Sequence, residues 1–134
     1  MVLQYLAGLV LLGHGIGHLM GFMESWTSIN VGFTDKPWIF GGNYMMDSTL
    51  GKAFGIVWLV AMVLFIGSGF GVLTGHTWWR TLAIIGSLIS LVGILPWWNT
   101  VIVGVKLGAL LDVAILLVLL LSQGDAITDF FEVP

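Results

Sequence analysis

Cysteine is absent from the chain. That removes thiol or disulfide relays, thiolate-bound iron–sulfur clusters and thiolate zinc sites, whatever the compartment. Charge is scarce as well. Asp, Glu, Lys and Arg make up 8% of the residues, with a formal net charge of −3. Without a basic run the electrostatic footprint of nucleic-acid binding is missing. Nor is there a polar tract long enough for a hydrophilic catalytic domain. The side-chain chemistry left is imidazole, carboxylate, thioether and hydroxyl.

Apolar residues fill the chain instead. They are 58% of 134 residues, and the mean hydropathy of +1.06 lies well outside the soluble range. Val2 to Met23, Leu50 to Leu73, Trp79 to Pro96 and Val101 to Leu121 are each long enough to cross a hydrocarbon layer of roughly 30 Å at about 1.5 Å per residue. The first run has no Lys or Arg ahead of it and carries two histidines, so it reads as a retained helix rather than a cleaved signal peptide. The expectation is a single all-α membrane domain spanning 1–134.

Tryptophan prefers the membrane interface. Trp78 and Trp79 are expected at one face and Trp97 and Trp98 at the other, with roughly 27 Å of helix between Trp79 and Trp97. The connections around Gly75-His76-Thr77 and Trp97-Trp98-Asn99 are short, which predicts an antiparallel four-helix bundle with both termini on one side. The long connection, SWTSINVGFTDKPWIFGGNYMMDST, has turn chemistry at Asp35-Lys36-Pro37 and Gly41-Gly42-Asn43. Trp26, Phe33, Trp38, Phe40 and Tyr44 make it an amphipathic loop that lies on the membrane or caps the bundle. Lys and Arg divide almost evenly between the faces and set no orientation.

Small residues at four-residue spacing mark faces where membrane helices meet. Gly13, Gly17 and Gly21 form such a stripe in the first helix, and Gly104, Gly108 and Asp112 form one in the last. His14 and His18 stack one turn apart beside the first stripe. Counted inward from the terminal face, His14 and Asp112 fall at a similar depth, very roughly 15 to 18 Å. They are expected to meet. A charge at that depth costs about 2.5 to 3.5 kcal/mol even on the lenient insertion scale, so Asp112 must be protonated, paired or hydrated.

His14, His18 and Asp112 are therefore the candidate ligand-binding or proton-accepting pocket. The plain structural alternative is a polar latch between the first and last helices with nothing bound. Two histidines one turn apart also suit a shared divalent metal, with Asp112 or Glu24 as a further ligand. One haem cannot take both, because axial ligands approach from opposite sides, although a single proximal histidine remains open. Met20, Met23, Met45 and Met46 are better explained as gap fillers than as a copper site. Ser87, Ser90 and Gly93 are explained by helix packing more simply than by an intramembrane hydrolase. Glu24 and Lys106 are accessory polar groups, Lys106 reaching toward the interface.

The pattern GHGIGHLMGF, with WWR opening the third helix, WW closing it and GALLDVAILL in the last, resembles uncharacterised bacterial four-helix membrane proteins. Gly15 to His18 is loosely similar to the first helix of DoxX-type proteins, some of which are associated with quinone-linked redox systems. That resemblance implies a bacterial inner-membrane protein with an accessory, quinone-facing role, and only His18 carries over. The leading expectation is a non-enzymatic membrane protein whose His/Asp pocket binds a quinone or lipid, the imidazoles facing a carbonyl head group. A metal- or haem-binding redox subunit, a proton or ion pathway, a homo-oligomer and a structural subunit of a larger membrane complex are the alternatives.

Overall fold

A computed structural model describes residues 2–34, 44–121, 126 and 129. Within those residues every regular element is helical. Four helical stretches are long and apolar enough to cross a membrane: Val2–Trp26, Thr49–Leu73, Trp79–Trp97 and Val103–Leu120. The chain is thus a small integral membrane protein whose surroundings are a lipid bilayer.

The first span is not continuous. It consists of α1 (Val2–Gly17) and α2 (Leu19–Trp26), with His18 between them. Gly15 and Gly17 stiffen the backbone least, and here the His18 N–H bonds the Gly15 carbonyl at 3.0 Å, a tightened three-residue step. The His18 ring then folds back, its Nδ1 2.9 Å from the His14 carbonyl. The second span is α3 (Thr49–Leu73), capped where the Ser48 hydroxyl accepts the Gly51 N–H at 3.1 Å. The third is α4 (Trp79–Ile94), continued by a 3-10 turn, Leu95–Trp97, that contains Pro96. The last is α5 (Val103–Leu120).

The spans pack in sequence: the first along the second, the second along the third, the third along the fourth. Close approach depends on glycine. A Cβ at Gly8 would strike Leu73, one at Gly15 would press on Ile66, and one at Gly21 would fall 2.0 Å from the Trp58 ring. Partner numbers fall as residue numbers rise.

This corrects the glycine stripes. Of Gly13, Gly17 and Gly21 only Gly21 is in contact; Gly13 and Gly17 face open space. The buried face of the first span is Gly8, Leu11, Gly15, His18, Gly21 and Ser25. In α5 the buried face is Val105, Ala109, Asp112 and Leu119, so Asp112 lies inside while Gly104 is open. Stripes of every fourth residue drift about 40° per step, whereas alternating steps of three and four stay on one face. Among the described residues the first and last spans do not pack along each other.

Two apolar clusters fill the interior. One gathers Phe33, Met46, Trp58, Ile94, Trp97 and Val105, the other Leu11, Phe65, Val72, Trp79, Ala83 and Leu119. Trp58 lies deep within α3 and donates its indole N–H to the Gly93 carbonyl at 3.0 Å. Trp79 and Trp97, expected as interface markers, turn inward and are buried, while Trp78 is exposed. Phe33 packs on Trp58, and Thr34 bonds the Thr100 carbonyl at 2.8 Å, so this part of the long connection covers one end. Trp26 and Tyr44 are exposed. The turns at 35–37 and 41–43, with Trp38 and Phe40, lie outside the described residues, as does most of the acidic tail.

The two kinds of glycine separate in a stability measurement. Gly21→Ala should lower unfolding stability in detergent by about 1 to 3 kcal/mol, because its methyl overpacks against Trp58. Gly13→Ala meets open space and should be neutral or stabilising by up to about 1 kcal/mol.

Candidate functional site

At the tightened step of the first span two imidazoles stand at right angles. The His14 and His18 ring centroids are 4.8 Å apart at an interplanar angle of 87°. His14 Nε2 lies 2.7 Å from Asp112 Oδ1. His18 Nε2 lies 2.6 Å from the Ser90 hydroxyl, which in turn lies 2.5 Å from Asp112 Oδ2. With His18 Nδ1 on the His14 carbonyl, the four residues close a hydrogen-bonded ring. It ties the first, third and last spans together. The second span walls it with aromatic rings: Phe65 is 4.5 Å from His14 and 5.4 Å from His18, and Trp58 is 5.9 Å from His18, centroid to centroid.

Each element delivers its group by ordinary periodicity. His14 lies in the last turn of α1, Ser90 on the buried Gly86/Ser87/Ser90/Gly93 face of α4, and Asp112 on the buried face of α5. Asp112 is 0% exposed, Ser90 1% and His18 3%. Burying such groups without hydrogen bonds is costly, a charge most of all, and here both Asp112 carboxyl oxygens have partners.

The expected meeting of His14 with Asp112 is present, and His18 joins it through Ser90. Ser90 is the member that sequence reasoning weighed beside His14 and Asp112 as an intramembrane hydrolase and set aside in favour of packing and backbone hydrogen bonding. A depth count would have found it, since about 16 Å of helix from Trp79 brings Ser90 level with His14 and Asp112. Glu24 and Lys106 are elsewhere. Glu24 Oε2 accepts the Val31 N–H at 2.8 Å, and Lys106 Nζ lies 5.5 Å from the Trp98 ring centre. His76 stacks on Trp78 in the turn after α3. Of the methionines, Met20 lines the cleft described next and packs against the apolar cluster that holds Met46, and Met45 lies by Glu24.

Where the first and last spans part, a cleft of about 220 Å³ opens beside the ring. Gly13, Gly17, Gly104 and Gly108 line it with His14, His18, Met20, Trp58, Ile94, Ile102 and Val105. Gly13, Gly17 and Gly104, read as helix contacts, thus leave room between helices, while Gly108 meets the His14 ring. On the terminal side of the His14–Asp112 bond the same seam holds a second, apolar cleft of about 250 Å³, between Ala7, Val10 and Leu11 and Leu111, Ile115 and Val118.

One ligand atom each from His14, His18 and Asp112 lies within 4.8 Å of the others, a spacing a metal ion accepts. His14 Nε2, both His18 nitrogens and both Asp112 oxygens are already hydrogen-bonded to one another, to the His14 carbonyl or to Ser90. A dication beside a single carboxylate would also leave net positive charge in the interior, an arrangement the membrane penalises. The Ser90 hydroxyl is buried and bridges His18 Nε2 and Asp112 Oδ2. Searches against protein-family models, curated proteins and solved structures found no match to the chain.

The two serines of α4 should respond oppositely. Ser90→Ala strips a partner from both His18 and Asp112 and should cost about 2 to 4 kcal/mol of unfolding stability. Ser87 is equally buried, but its hydroxyl has no partner among the described residues, so Ser87→Ala should be neutral or stabilising.

Proposed function

We propose that the chain is an up-down-up-down four-helix membrane protein that binds a small apolar ligand, a quinone or a lipid, in the cleft between its first and last spans. The observation that carries this is the glycine-walled gap beside His14. Helix pairs in lipid gain by close packing, and small residues exist to permit it. Here Gly13, Gly17 and Gly104 permit an approach that is not made.

The cleft size supports a head group rather than a whole lipid. A cavity of about 150 Å³ admits benzene, so 220 Å³ holds a substituted ring or glycerol-sized group, with the tail out along the seam. Apolar walls with one converging polar group are the usual form of a small-molecule site. Of the two imidazoles only His14 is available. Both His18 nitrogens are hydrogen-bonded within the protein, so His18 braces the His14 segment and Ser90. The role is accessory, as the loose DoxX-like resemblance implies, and the setting is a bacterial inner membrane.

Mass spectrometry of gently extracted protein should show a co-purifying apolar molecule near one per chain. Gly17→Leu fills the cleft from the first span without touching the hydrogen-bonded ring, and should reduce occupancy at least about tenfold at unchanged thermal stability. Equal occupancy in wild type and Gly17→Leu removes the cleft from the account.

A further inference from the structure

The hydrogen-bonded ring around Asp112 has a direction, and that direction determines what His14 shows to the cleft. A backbone carbonyl only accepts, so His18 Nδ1, 2.9 Å from the His14 carbonyl, carries a proton. Two contacts then link His18 to Asp112 through Ser90, at 2.6 Å and 2.5 Å. The single Ser90 proton fills one of them. The other needs a proton from His18 Nε2 or from Asp112 itself.

In the first arrangement a His18 imidazolium faces an Asp112 carboxylate across Ser90. In the second a neutral His18 faces an Asp112 carboxylic acid protonated on Oδ2. Both have zero net charge, as a membrane interior demands. In both, Asp112 Oδ1 is a bare acceptor, so the 2.7 Å contact is donated by His14 Nε2–H. A neutral imidazole has one ring proton. His14 Nδ1 is therefore a lone pair in either arrangement.

Among the described residues nothing donates to that nitrogen, and the His14 side chain, 7% exposed, forms part of the cleft wall. A second ring proton on His14 would leave an unbalanced positive charge, which the same interior opposes. The cleft thus offers an apolar space with one hydrogen-bond acceptor.

Resting on the reading of this cleft as a ligand site, we infer that it selects molecules whose head group donates a hydrogen bond, such as a lipid alcohol, a phenol or a quinol, over those that only accept, such as a quinone or an ether. The donor O–H meets His14 Nδ1 and leaves the ring around Asp112 intact. A carbonyl head group finds no donor there and sets two acceptors face to face, so the carbonyl contact expected of the imidazoles gives way to a hydroxyl contact.

The full chain in nanodiscs can be titrated with 4-nonylphenol and with its methyl ether, which differ only in the donor, using Gly104→Leu as the control with the cleft filled and His14 untouched. The phenol should occupy the wild type about 2- to 10-fold more strongly than the ether and lose that advantage in Gly104→Leu. Ether binding equal to or above phenol, blocked by Gly104→Leu, overturns this inference and leaves the ligand cleft standing. If neither molecule binds above the Gly104→Leu level, the cleft reading falls and takes the inference with it. Imidazole ¹⁵N shifts provide a second readout: His14 Nδ1 should be unprotonated without ligand and move on adding phenol, and a protonated Nδ1 overturns the inference whatever the affinities.

Discussion

A carboxylate without solvent exposure, inside a protein that is itself inside a membrane, is the constraint on which this structure turns. Asp112 has no water to fall back on, so each of its oxygens needs a partner from the protein. One comes from the first span and one from the third, and His18 completes the circuit by holding both partners. Three spans are thereby fixed at one height and one rotation. Aliphatic packing does not discriminate in this way, since a helix rolled by a few tens of degrees in lipid still presents leucine and valine.

The cost of meeting that demand appears in the backbone. If the first span were one regular helix, His14 and His18 would stack on the same face and aim alike. At the tightened step around His18 the rings stand nearly perpendicular, and one reaches Asp112 while the other reaches Ser90. The bulk of the His14 ring, seated against Gly108, then stands between the first and last helices. Their backbones part on both sides of it, and the seam becomes two clefts with the His14–Asp112 bond between them. Site and cavity therefore have one origin.

Much of this was legible in the sequence. Four apolar runs at membrane length, a tryptophan-bounded third span, and one histidine, His14, at the depth of one aspartate are statements about length and composition, which lipid makes unusually strict. What escaped was rotation about the helix axis. The Gly13/Gly17/Gly21 stripe looks like a contact face, but residues spaced by four drift about 40° per step, and the true face runs through Gly8, Gly15 and Gly21. Trp58 was hidden by the habit of tryptophan for interfaces; a cavity between Gly21 and Gly93 on two other spans accepts it, and only three-dimensional proximity shows that. Ser90 was hidden because a serine among glycines is usually packing.

The decisive measurement is solid-state NMR of the chain in bilayers, with ¹⁵N in the His14 ring and ¹³C at the Asp112 carboxyl. The account predicts a strong dipolar coupling between His14 Nε2 and the Asp112 carboxyl carbon, corresponding to hydrogen-bond distance, and its disappearance in Asp112→Leu. No measurable coupling, with both groups giving the spectra of solvated side chains, would contradict it at its foundation.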